Sequence, residues 1–161
     1  MDRRKFLRSA ALAFAGAGAM TLGAGAAVAD GPGPAPVIGN VNELVVRYIA
    51  AWNERDAERR RDLIAKTWTA DGTYIDAHRR GIGHDGIDTM IAAAQAQFPE
   101  YRLRLVSGIE THNGYLRFRW AAGGSAEAPL YLAGTDLAVV AEDGGFKSVT
   151  GFVDAAPAPQ G

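Results

Sequence analysis

The chain has 161 residues, 48% of them hydrophobic and 22% charged, with a formal net charge of −1 and no cysteine. This is enough apolar sequence to bury the core of one small domain. Disulfides and a lipid-modified cysteine are excluded, and after residue 29 the lack of a basic run beyond Arg59-Arg60-Arg61 argues against nucleic acid as a partner.

Arg3, Arg4, Lys5 and Arg8 make a charged n-region, and Leu7 to Val28 is otherwise apolar or small and rich in Ala and Gly. Ala27-Val28-Ala29 then forms a small-x-small cleavage site, which predicts a signal peptide over residues 1–29. The pair Arg3-Arg4 followed by Lys5-Phe6-Leu7 resembles the twin-arginine export signal. The glycines in the run argue against a retained anchor, so no stable membrane insertion is expected after cleavage. The expected location is periplasmic or extracellular. Beyond residue 29 stand 13 basic and 17 acidic residues, a net charge of −4. Residues 30–39 read as a flexible lead-in, 40–154 as the domain and 155–161 as a flexible tail, because both flanks are rich in Pro, Gly or Ala.

Asn40 and Glu43 form an Asn version of the capping box, and Val41, Leu44, Val45, Tyr48, Ile49 and Trp52 follow helical spacing. A second helix is predicted over Ala57 to Trp68, with Arg59-Arg60-Arg61 as its solvated face. Asp71-Gly72 reads as a turn. "TYID" is a short strand placing Tyr74 and Asp76 on one side. "HRRGIGHDG" reads as a loop, with Asp85 capping a third helix that carries Ile87, Met90, Ile91, Ala94 and Phe98 on one stripe until Pro99 stops it. "YRLRLV" and "YLRFRW" alternate as strands around the turn "HNG". "LYLAGTDLAVVA" and "FKSVTGFVD" are strands joined by the turn "EDGG". Helices first and antiparallel strands after them give an α+β fold. Trp52, Trp68, Ile91 and Phe98 are the expected core.

The stretches "VVRYIAAWNERD", "WTADGTYID", "GIDTMI" and "GTDLAVVAEDGGFKSVTGFVD" resemble the SnoaL-like branch of the nuclear-transport-factor-2-like superfamily. The resemblance implies a cone-shaped, cystatin-like roll of three helices on a curved, mainly antiparallel sheet. It also implies pairing of two copies through the outer sheet face. Within that superfamily, Tyr48 in "RYIAAWN", Asp76 in "TYID" and Asp136 in "GTDLAVV" match the polar pocket residues of ketosteroid isomerases. That match implies a cofactor-independent isomerase, cyclase or hydratase that carries out proton transfer beside a carbonyl. Asp76 would act as base, and Tyr48 and a protonated Asp136 would donate to the enolate oxygen. Ketosteroid isomerase is itself the known case of an apolar pocket that keeps one Asp neutral at pH 7, so this role reaches Asp136 by analogy.

The residues themselves allow other roles. Tyr48 on an apolar helix stripe also fits a core position, and Asp76 at a strand end also fits a local backbone acceptor. Asp136 shares its strand face with Leu132, Gly134, Ala138 and Val140, so its carboxyl needs a partner or a proton. Trp52, His78, Trp120 and Phe152 are the expected substrate-binding residues, and the expected ligand is a small apolar carbonyl compound. His78, His84 and His112 lack metal-ligand spacing, so no metal and no cofactor is expected. The alternative function is a non-catalytic exported protein that holds an apolar ligand or a protein partner.

Overall fold

A computed structural model describes residues 40–123 and 130–154. The expected signal peptide, lead-in and tail lie outside the described residues. The first helix, α1 (Val41–Asn53), starts where Asn40 accepts hydrogen bonds from the backbone N–H groups of Asn42 and Glu43. These bonds satisfy two donors that a helix start leaves open. The buried residues Leu44, Val45, Tyr48, Ala51 and Trp52 lie on the apolar stripe read from the sequence.

Helix α2 (Ala57–Ala65) ends three residues short of Trp68, which instead opens strand β1 (Trp68–Ile75). The Thr67 hydroxyl donates to the Leu63 carbonyl, while the Thr67 carbonyl accepts from the Phe146 N–H at 2.8 Å. Pairing with the last strand therefore captures a β-branched and aromatic stretch that helical spacing had claimed. Asp71-Gly72 is not a turn but part of β1, where the pairing register shifts. A Cβ on Gly72 would lie 2.9 Å from the Thr69 carbonyl oxygen and from Trp68 Cβ, so this irregularity requires glycine. The solvated-face reading of Arg59-Arg60-Arg61 fails at Arg60. That side chain is buried, and its Nε donates to Asp88 at 2.6 Å, tying α2 to the third helix.

The expected loop after β1 contains β2 (Arg80–Ile82), which pairs back on β1, and α3 (Gly83–Gln97) follows at once. Ile82 is the N-cap, and Asp85 sits in the first turn rather than capping. Then come β3 (Arg102–Leu105), β4 (Glu110–His112), β5 (Tyr115–Gly123), β6 (Leu130–Val140) and β7 (Phe146–Asp154). Strand β4 was unforeseen. It forms because Asn113 and Gly114 both adopt positive φ, the geometry of a tight hairpin, and this pairs Glu110–His112 with β5.

The seven strands make one curved, unclosed sheet in the order β2-β1-β7-β6-β5-β3, with β4 beside β5. Among the described residues only β1 and β7 run parallel. The inner face meets α1 and α3 through Phe118, Phe146, Val149, Ile87 and Ile91. Each such side chain contributes roughly 1.5–3 kcal/mol by burial. Trp52, Trp68 and Ile91 join this core as expected. Phe98 does not. It is half-buried and stacks on Tyr101 at 4.8 Å, beside the opening of the cone.

Candidate active site

Alternation along β6 turns Gly134, Asp136, Ala138 and Val140 inward. Asp136 is fully buried in the apolar core. Its Oδ2 accepts from the Tyr48 hydroxyl at 2.5 Å and its Oδ1 from the Trp120 indole N–H at 2.8 Å. Trp120 reaches it from β5 because Gly134 lies directly opposite in register. A Cβ at Gly134 would stand 2.5 Å from the indole ring, so glycine makes room for the donor. Burial drives the Asp136 carboxyl up from 3.8 to about 6, against the opposing pull of its two donors. Burial first, and then the Asp136 charge, holds Tyr48 well above its ordinary range.

Asp76 follows β1. Its Oδ1 accepts the backbone N–H groups of His78 and Arg79 at 2.6 and 2.7 Å, and its Oδ2 accepts the Tyr74 hydroxyl at 3.1 Å. Arg79 approaches Oδ2 at 3.7 Å. The carboxyl is thus fixed in one orientation, with the backbone bonds on one oxygen. Burial raises Tyr74 above its usual range, aided by the charges of Asp136 and Asp76. The two acid systems meet over Gly151, where a Cβ would lie 2.8 Å from the Tyr74 hydroxyl, 3.1 Å from Asp136 Oδ1 and 3.3 Å from Asp76 Cβ.

An inner chamber of about 60 Å³ opens among these groups. Tyr48, Tyr74, Asp76, Arg79, Gln95 and Tyr101 are its polar wall residues, and Trp52, Phe98, Trp120, Leu132 and Val153 are among its apolar walls. Asp136 is not a wall residue. It lies behind Tyr48 and Trp120 with both oxygens engaged, so it does not present a donor to the chamber in this arrangement. That differs from the direct contact implied by the resemblance, and the cause is the second donor, Trp120. Phe152 is also displaced. Val149 and Gly151 face inward, so Phe152 points outward, 59% exposed, and Val153 takes the wall position. His78 lines a wider outer cleft rather than the chamber. The His84 ring contacts the Trp68 carbonyl at 2.9 Å, and His112 is exposed on β4. Among the described residues no three His, Asp or Glu side chains group as metal ligands, and no helix is long and apolar enough to cross a membrane.

Tyr74, Arg79 and Gln95 also line the chamber, beyond the residues expected from the sequence. Tyr74 carried a usable signal, because it shares a strand face with Asp76. Arg79 and Gln95 carried none, since only tertiary packing brings them to the chamber. Gln95 is fixed there by donating to the carbonyls of Trp52 and Glu54.

The roll of three helices on an open sheet, with a largely apolar chamber inside, defines a cystatin-like α+β cone of the nuclear-transport-factor-2-like class. A protein from Agrobacterium tumefaciens, described provisionally as an isomerase of the SnoaL-like family, is 36% identical, with a TM-score of 0.67. That match covers 71% of this chain and 97% of the other. This chain belongs to the SnoaL-like family. Two more distant structures share the fold. One, from Jannaschia sp. CCS1 and described provisionally as a SnoaL-like polyketide cyclase, is 17% identical over 77% of this chain and 92% of its own, with a TM-score of 0.59. The other, a cystatin-like protein of unknown function from Methylobium petroleophilum, is 11% identical over 79% and 84%, with a TM-score of 0.60. No protein-family model and no curated protein matches the chain.

Proposed function

We propose that this protein is a cofactor-independent isomerase or cyclase that moves a proton on a carbon beside a carbonyl, with a small, largely apolar compound held in the cone. The observation that carries this reading is that Tyr48, Tyr74 and Asp76 line one largely apolar chamber, with the Tyr74 hydroxyl donating to the Asp76 carboxyl. Asp76 Oδ2 takes the proton from carbon. The C–H electron pair becomes an enolate, whose oxygen accepts a hydrogen bond from a tyrosine hydroxyl. The proton then returns at a different carbon in an isomerisation; in a cyclisation the enolate carbon attacks a second carbonyl carbon of the same molecule, whose C=O π pair moves to oxygen and takes up the proton from Asp76. Donors fixed in a low-dielectric chamber stabilise such charge without reorganising.

Asp136 is a positioning residue in this scheme. When ionised it holds the Tyr48 proton. When protonated it can donate to the Tyr48 oxygen, which turns the Tyr48 proton toward the chamber. Trp120 fixes the carboxyl plane in both states. We further propose that the Arg3-Arg4 leader exports the chain, and that two copies pair through the outer sheet face, where Ile75, Leu137 and Phe152 are exposed.

One observation favours a second reading, a non-catalytic protein that holds an apolar ligand. The two backbone N–H bonds on Asp76 Oδ1 are what a purely local turn would make. Deuterium uptake at the methylene of phenylacetone, followed by proton NMR in D₂O, separates the two. Uptake above the buffer rate supports the enzyme. Uptake at the buffer rate supports the binding protein.

A further inference from the structure

The inner chamber is small. Its roughly 60 Å³ compares with the 10–15 Å³ that a single water requires, so it accepts only the reacting end of a ligand. It does not stand alone. Arg79, Ala94, Phe98, Leu132 and Val153 also line an outer cleft of about 980 Å³. A ligand that leaves the chamber therefore continues into this cleft.

The charged and titratable side chains of the cleft are His78, Arg79, Arg80 and Asp85. Arg79 spans both compartments. It donates to Gln97 at 3.2 Å, lies over the Phe98 ring at 5.8 Å, and meets Asp76 only at 3.7 Å. Asp76 takes its three hydrogen bonds from other, closer donors, so its pairing with Arg79 is the longer contact. Arg80 is exposed on the edge strand β2 and has no ion pair among the described residues. Asp85 is the only carboxylate among the described residues of the cleft; counted with Asp76, which pairs with Arg79, it balances the two guanidinium charges, and among those residues Arg80 is the cation that no ion pair holds.

We propose that the site takes an amphipathic small molecule whose carbonyl end enters the inner chamber and whose carboxylate rests in the outer cleft against Arg79 and Arg80. This rests on the proton-transfer reading for the chamber and adds the class of substrate. The apolar walls take the ketone end, and the guanidinium groups supply the paired donors that suit a carboxylate. The chamber thus fixes which carbon lies beside Asp76, and the cleft fixes how far from it the anionic group can stand.

The test uses 3-benzoylpropanoate, an aryl ketone with a carboxylate two methylenes away, and its neutral methyl ester. Binding to the full chain is read from quenching of tryptophan fluorescence, and proton transfer from deuterium uptake at the methylene beside the ketone. The acid is expected to bind about tenfold tighter than the ester, the order a charge-assisted contact supplies, with the preference shrinking as salt rises. Arg79→Gln is expected to bring the ratio near one. Because Arg79 also contacts Asp76 and Gln97, Arg80→Gln serves as the second variant, and a smaller but definite fall in the ratio is expected there.

Equal binding of acid and ester overturns the proposal. So does binding of neither, or an acid preference that both variants leave unchanged. The two readouts keep the claims apart. Equal uptake from acid and ester would leave the proton-transfer reading standing without the anion site. Arginine-dependent acid preference without any uptake would leave the anion site standing and remove proton transfer.

Discussion

Replacing Asp136 with Asn tests the buried acid, because Asn fits the same two partners without a charge. Its Oδ1 can accept from Trp120, and its Nδ2 can donate to the Tyr48 hydroxyl, which is both donor and acceptor. The carboxyl of Asp136 is raised from 3.8 to about 6 on folding, chiefly by burial. Well below 3.8 it is protonated in both states and takes nothing from stability. Between about pH 4 and 6 the unfolded chain releases its proton first, so stability falls as pH rises, and above the folded value the loss levels off. A difference of about two pH units corresponds to about 3 kcal/mol. Asp136→Asn should therefore match the wild type near pH 3.5 and exceed it by up to about 3 kcal/mol at pH 7.5. Urea unfolding of both proteins across this range reads the gap directly. A variant less stable at pH 7.5, with the gap closing on acidification, would show that Asp136 is an ionised structural acceptor and would refute the reasoning.

Trp120→Phe keeps the ring but removes a donor to the ionised carboxyl. It should cost about 1–3 kcal/mol at neutral pH and less below pH 4, as read by the same unfolding series. Arg60→Ala leaves Asp88 with only the exposed Arg61 as partner, so a loss near the lower end of about 3–5 kcal/mol is expected in urea unfolding. Leu137→Lys on the outer sheet face should shift a dimer to monomer in sedimentation, and an unchanged sedimentation coefficient would remove that face as the pairing surface. Replacing Arg3 and Arg4 with Lys should retain the protein in the cytoplasm on cell fractionation, and normal export would remove the twin-arginine assignment.

What the sequence made legible follows from local periodicity. The α1 stripe, the inward face of β6 and the Asn113-Gly114 turn each depend on neighbours within a few residues, and each stands where spacing put it. Long-range pairing was invisible by the same logic. Trp68 fits a helical stripe until Phe146 recruits Thr67 to the sheet, and β4 exists only because β5 is beside it. The buried state of Arg60 depends on Asp88, twenty-eight residues away. Phe152 illustrates a parity error. Gly151 carries no side chain to mark the inner face, so the apolar Phe152 drew the assignment that belongs to Val153. The candidate site divides in the same way. Tyr48, Asp76 and Asp136 were readable as residue types, but not that Trp120 and Tyr48 would occupy both Asp136 oxygens. Arg79 became visible only through the cavity it lines.

The central claim is that Asp76 removes a proton from carbon inside the chamber. Deuterium uptake at the phenylacetone methylene, measured for the wild type and Asp76→Asn at the same protein concentration, tests it most directly. Asn retains the acceptor for the two backbone N–H groups but cannot take the proton, so the turn is kept and the base is lost. The account predicts wild-type uptake well above buffer and a fall of about 10²–10⁴ in the variant. Equal rates for the two proteins, whether fast or at the buffer level, would contradict it.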